Sequence, residues 1–209
     1  MKAYLSHFKN NSLRRLLVAS LVLLAISLFI NFYAGIYATE KASNPVTDII
    51  LSNTKVYDLD SIFIYGSWIL VGFIVYLCFS RPQRAPFIIK SIAAFVLVRA
   101  LFITLTHLGP FPQAVVINPQ SFIRYFVFGG DLFFSGHTGL PFLLSLVFWD
   151  HYRLRVLFIA TSIFFAIVVL LAHLHYTIDV LSAYFIAYGI YHICLKLFRK
   201  DKELFNLAS

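Results

Sequence analysis

Charge is what this 209-residue chain has least of: Asp, Glu, Lys and Arg together make up 12% of it, about half the share found in soluble domains. With hydrophobic residues at 60%, that shortage excludes a water-soluble globule. Cysteine is scarce as well. Cys78 and Cys194 both fall inside apolar runs near the same membrane face, which excludes a secreted disulfide framework and leaves them as packing residues. The chain offers no cysteine nucleophile, no glycine-rich nucleotide loop, no internal repeat and no low-complexity segment.

What is present is apolar length. Runs at Leu16 to Ile36, Ile62 to Phe79, Phe87 to His107, Leu132 to Trp149, Val156 to Leu174 and Tyr176 to Phe198 are each close to the roughly 18 to 21 residues that cross a bilayer as a helix. The expectation is an all-α integral membrane protein of six transmembrane helices, a single domain over residues 1–209 with no room for a second. The first run is too long for a removed signal peptide and lacks a convincing small-residue cleavage site, so it reads as the first span.

Lysine and arginine (17) outnumber aspartate and glutamate (9), yet the excess follows the loops and does not form a nucleic-acid patch. Lys2, Lys9, Arg14 and Arg15, then Arg81, Arg84 and Lys90, then Arg153 and Arg155, then Lys196, Arg199, Lys200 and Lys202 would share one side, thirteen of the seventeen. Lys41, Lys55 and Arg124 fall on the other, with Arg99 inside a span. The positive-inside rule then makes both termini cytoplasmic. The absence of a targeting extension is compatible with a bacterial inner membrane.

The outer connection from Tyr37 to Ser61, broken at Asn44-Pro45 and carrying Glu40, Asp48, Asp58 and Asp60, reads as a surface loop with a short interfacial helix; a substrate lid is the other reading. The turn Arg81-Pro82-Gln83-Arg84-Ala85-Pro86 is an inner anchor. Leu108 to Asp131, with Pro110, Pro112, Pro119, Gly129 and Gly130, reads as an apolar loop dipping into the interface, a candidate lipid gate. Tyr184, Tyr188 and Tyr191 read as core or interface aromatics.

Two polar islands open spans on the outer face. The first is Gly129-Gly130-Asp131-Leu132-Phe133-Phe134-Ser135-Gly136-His137-Thr138, and the second is His173-Leu174-His175-Tyr176-Thr177-Ile178-Asp179-Val180. If Tyr176 onward is helical, His175 and Asp179 share one face four residues apart, close enough for the carboxylate to hold the imidazole. Arg99 lies eight residues before His107, roughly 12 Å below the outer helix end. An arginine at that depth costs at least about 2.5 kcal/mol on insertion unless it faces a wet cavity or a partner. A phosphate in the site is one such partner; a structural ion pair or snorkelling is the alternative.

These groups fit phosphoryl transfer. A histidine attacking phosphorus gives a phosphohistidine and splits one displacement into two. A second histidine protonates the leaving alkoxide and later deprotonates the acceptor. Asp179 would fix the tautomer of His175 and stabilise its positive charge, and glycines at a helix amino end offer N–H groups to phosphate oxygens. A histidine–carboxylate metal site from His137, His173, His175 and Asp131 stays open at this point, although nothing in the spacing specifies a metal.

Ser135-Gly136-His137-Thr138, and His175-Tyr176-Thr177-Ile178-Asp179-Val180 with Ala183-Tyr184, resemble the two catalytic motifs of sphingomyelin synthases and their relatives within the type 2 phosphatidic acid phosphatase superfamily. Gly130-Asp131 fits the approach to the first motif, and Arg99 with Thr106 and Leu108 is similar to a further one; the resemblance runs from about Arg99 to Tyr191, and the motifs lie within 99–192. It implies six helices with an outward-facing site, His175 as nucleophile, Asp179 as its partner, His137 as general acid and base, and no metal or other cofactor. The substrate-binding residues on this reading are Arg99, Asp131, Ser135, Gly136 and Tyr176.

The phosphatase branch usually brings further cations, including a Ser-Arg pair ahead of the nucleophile, whereas Val169 stands six residues before His175. A phosphate monoester carries nearly two charges at neutral pH, its second pKa being about 6, while a diester carries one, so fewer cations favour a diester. The Tyr191-His192 pair resembles the end of the synthase motif but arrives about a turn early. The expected activity is transfer of a phospholipid headgroup phosphate, of phosphocholine or phosphoethanolamine type, to a lipid alcohol such as ceramide or to water, releasing diacylglycerol. The alternatives are a lipid phosphate or isoprenyl diphosphate phosphatase and an inactive membrane scaffold. Expected partners are phospholipid and lipid-alcohol substrates and membrane lipids, not nucleic acid; an oligomer stays open.

Overall fold

The computed structural model describes residues 11–112, 114, 130 and 132–207, and among them it contains helices and no strand. The α-helices are α1 (Asn11–Lys41), α2 (Asp60–Ser80), α3 (Ala85–Leu105), α4 (Gly136–Val147), α5 (Tyr152–Leu171), α6 (Thr177–Leu197) and α7 (Arg199–Leu207), with a single 3-10 turn at Leu51–Asn53. Five of them, α1, α2, α3, α5 and α6, are long and apolar enough to cross a membrane. They are apolar on nearly every face, as expected of helices whose outer surface meets acyl chains. Phe29, Ile69, Phe79, Leu105 and Phe185 accordingly lie exposed.

The fourth expected span needs correction. α4 is 12 residues long, about 18 Å, against a hydrocarbon core of about 30 Å. The apolar run overstated it at both ends. Leu132 to Phe134 form no helix before the Ser135 N-cap, and Phe148 to Asp150 turn back toward α5.

Local chemistry sets the other boundaries. Asp60 opens α2 with an acid in its first turn, where a negative charge suits the helix dipole. Pro86 starts α3 at a position where its missing N–H costs nothing. α1 packs along α3, α4 lies against α5 and α6, and α2 touches α3 and α5. The core between them is aromatic: Phe87, Phe95, Phe134, Phe148, Phe158 and Phe165 are all at most 2% exposed.

The end of the bundle where α2, α4 and α6 begin carries both histidine islands and is called here the site end. At the far end α7 folds back, with Lys90 Nζ 2.7 Å from Asp201 Oδ2 and Phe205 buried against Phe87 and Phe148. Arg84 is held there by a 2.8 Å bond to His151 Nε2 and lies over the Phe205 ring, which suits an anchor. Cys194 is buried in the core, and both cysteines are free thiols.

Candidate active site

Two helix starts build the site. Ser135 caps α4 and accepts the Thr138 N–H at 3.4 Å, which puts His137 in the first turn. Pro141 lies inside α4 and has no N–H, removing the bond that helix register would give the His137 carbonyl. The His137 ring lies against Phe63 of α2 and Phe165 of α5, with ring centroids 4.2 and 5.8 Å away.

The second start is α6. His175 Nδ1 is 3.3 Å from Asp179 Oδ2, and the same oxygen accepts the Tyr176 N–H at 3.1 Å. Asp179 is fully buried, and His175 is 7% exposed. An ionised carboxylate only accepts, so the neutral ring that pairs with it carries its proton on Nδ1 and leaves the Nε2 lone pair free to attack.

The two starts are tied together. The Ser135 N–H donates to the Asp179 carbonyl at 3.1 Å, a backbone bond between the cap of α4 and the first turn of α6. Arg99 reaches them from α3, its Nε donating to the Phe134 carbonyl at 3.2 Å. The guanidinium lies on Gly136: a Cβ there would stand 3.2 Å from Arg99 Nε. His137 is within electrostatic range of both His175 and Arg99. The backbone bond between Ser135 and Asp179 and the contact of Arg99 with Gly136 thus bring the two histidine-bearing helix starts and the guanidinium to one end of the bundle. Arg99 and Phe165 each precede the end of their helix by six residues, which recesses the site about 9 Å below those ends.

Not every expected residue faces this cluster. The Tyr176 hydroxyl points away, donating to the Gly109 carbonyl at 2.8 Å and accepting the Val46 N–H at 3.2 Å, with its ring 1% exposed. Here Tyr176 is a tie between loops. Asp131 lies outside the described residues, as does most of the loop read as a lipid gate. His173 is buried against Phe111, its Nε2 3.2 Å from Thr54 Oγ1. Among the described residues no group of three or more His, Cys, Asp or Glu side chains is placed to hold a metal.

The connection between α1 and α2 contributes a residue that sequence reading passed over. Asp48 is buried and receives the Thr177 N–H at 2.6 Å and the Thr177 hydroxyl at 2.8 Å. The Ile50 and Leu51 amides complete its shell at 2.9 and 3.1 Å. Burial pushes the carboxyl up, but these four bonds outweigh it and hold Asp48 below the ordinary carboxylate range. The local part was legible, since an aspartate before a turn caps the amides that follow it. Its bond to a residue 129 positions away was not.

Residues 129–195 match the family described as PAP2 superfamily C-terminal. The match supports membership of the type 2 phosphatidic acid phosphatase superfamily. It covers α4, α5, most of α6 and both histidine islands from Gly129 onward. No curated protein and no solved structure matches the chain. With its five long apolar helices, the protein is an integral multi-pass membrane protein, and the superfamily supports an enzyme of lipid phosphatase or phosphotransferase type.

Proposed function

We propose that the protein transfers the headgroup phosphate of a phospholipid to a lipid alcohol or to water through a phosphohistidine on His175. The observation that carries the reading is the His175–Asp179 pair at 3.3 Å, set at a helix start whose Asp179 carbonyl is bonded to the Ser135 cap ahead of His137. In the first half, His175 Nε2 forms a bond to phosphorus as the bond from phosphorus to the glycerol oxygen breaks, and His137 gives that oxygen its proton. Diacylglycerol leaves. In the second half, His137 takes the proton of the acceptor hydroxyl, the new P–O bond forms, and the N–P bond breaks. Arg99 offsets the phosphate charge, and Asp179 stabilises the imidazolium that forms at His175.

A phosphodiester is the favoured substrate because, among the described residues, Arg99 alone brings a guanidinium to the cluster, while Val169, where the phosphatase branch has an arginine, is fully buried in an apolar cluster. A phosphatase acting on lipid phosphate or isoprenyl diphosphate is the second reading, and the breadth of the matched superfamily favours it. The cationic far end, with Arg81, Arg84, Arg153, Arg155 and α7, suits the cytoplasmic side, which would turn the site to the exoplasmic side, the periplasm in a bacterial inner membrane.

The test is to incubate purified protein with labelled phosphatidylcholine, phosphatidylethanolamine or phosphatidic acid, with and without ceramide. Diacylglycerol together with a new phospholipid is the expected product pair, abolished by His175→Ala. Release of inorganic phosphate alone would replace the transferase by the phosphatase. Turnover of none of these lipids would overturn the transferase and the lipid phosphate phosphatase alike.

A further inference from the structure

The turn that carries His175 is held from outside by the α1–α2 connection. Along Leu171 to Thr177, the Leu171 carbonyl accepts the Tyr57 N–H at 2.9 Å, His173 meets Thr54, the Tyr176 hydroxyl meets the Val46 amide, and Thr177 gives both its donors to Asp48. Leu51 is buried beneath the strap with Leu132 and Tyr176. The turn is one the chain adopts reluctantly, since His173 sits at φ 53°, a left-handed conformation that surrounding structure must impose on a non-glycine residue.

We propose that Asp48 is a positioning residue for His175, and that the strap of residues 42–59 is a clasp that fixes the nucleophile's backbone for in-line attack. The proposal rests on the reading of His175 as the nucleophile. Thr177 is the first residue of α6, and its N–H is one of those that no helix carbonyl can satisfy. Asp48 supplies the missing acceptor from another part of the chain and adds a second bond to the same residue's hydroxyl. The Tyr176–Thr177 peptide is thereby pinned on one side by Asp48, while Asp179 takes the Tyr176 N–H on the other. His175 precedes that peptide directly, so its ring inherits the peptide's position. Arg99, on α3, takes no part in these bonds. Loosening Asp48 should therefore slow the chemical step and leave phosphate binding in place.

The experiment uses the full chain in lipid vesicles containing labelled phospholipid and ceramide, comparing Asp48→Ala, Thr177→Val and Thr177→Ser. Asp48→Ala and Thr177→Val are expected to lower kcat by roughly 10- to 100-fold, the scale of a misplacement near 1 Å, with KM within about threefold. Thr177→Ser keeps the hydroxyl and is expected to stay within about threefold of wild type in both constants. In parallel, amide hydrogen exchange of residues 173–180 in Asp48→Ala should rise at least about tenfold while α3 and α5 keep their protection. Unchanged kcat in Asp48→Ala, or an exchange increase spread equally over all helices, overturns the clasp. If wild type turns over none of the lipids, or if His175→Ala remains active, the functional reading falls, and the exchange measurement still decides whether Asp48 fixes the turn.

Discussion

Replacing Asp179 by asparagine isolates what the carboxylate's charge does. Among the described residues, the two groups that bond its side chain, the Tyr176 N–H and His175 Nδ1, meet the same oxygen, Oδ2, while Oδ1 is buried with no hydrogen-bond partner. An asparagine can place its carbonyl where Oδ2 was and keep both bonds, so the imidazole tautomer need not invert. What disappears is a negative charge opposite the imidazolium that forms as His175 attacks. With centres about 4 Å apart and an effective dielectric of about 20, that attraction is about 4 kcal/mol, which corresponds to about a thousandfold in kcat. Asp179→Ala removes the acceptor as well, leaving a buried Tyr176 N–H unsatisfied at a further cost of about 1–3 kcal/mol in stability. The assay is headgroup transfer measured for both variants beside thermal unfolding in the same detergent. An asparagine variant within tenfold of wild-type kcat, or equal losses of stability in the two variants, would refute this account of the pair.

His137→Asn should lower kcat by about 10²- to 10⁴-fold, the range for losing a general acid, and diacylglycerol release should slow to the same extent as overall transfer. Gly136→Ala places a methyl 3.2 Å from Arg99 Nε, and the guanidinium must yield by a few tenths of an ångström; KM should rise about three- to tenfold with a smaller change in kcat. Asp48 contributes stability that is fully present above the unfolded carboxyl value near 3.9 and is lost as pH falls through its lower folded value. His173, Tyr176 and Thr177 face it, and the difference in melting temperature between wild type and Asp48→Asn should shrink below about pH 4. A strong chelator should leave transfer unchanged; a loss restored by added metal would favour the histidine–carboxylate metal site.

Much of the scaffold could be read from hydropathy because lipid asks one thing of a span, apolar length, and five helices have it. α4 escaped that reading. Inside the bundle a half-length helix can be as apolar as a full one, and hydropathy cannot see the Ser135 cap that starts it late. The pairing of His175 with Asp179 followed from helical spacing alone, since four residues make one turn. The placement of Arg99 against Gly136 did not, because it depends on how closely α3 and α4 approach and on the missing Cβ. The family resemblance makes Tyr176 a ligand; what spacing could not show is that its hydroxyl bonds Gly109 and Val46, contacts set by loop closure across 67 and 130 positions.

The face that α1 turns to α3 has a consequence for where that long helix is held. Its buried residues Leu13, Ser20, Ser27 and Ala34 recur every seventh position and are mostly small, yet both serines bond carbonyls of their own helix, Leu17 and Leu24. The hydroxyl bonds of these two serines stay within α1, and along that stretch the seam is packed by small residues and shape, the kind of contact along which one helix can slide past another. The latch is at the site end, where Thr39 receives the Gly130 amide and Ser43 donates to the His107 carbonyl. α1 behaves as a strut bolted at its site-end tip, so the loops that frame the chemistry also help to set its vertical register.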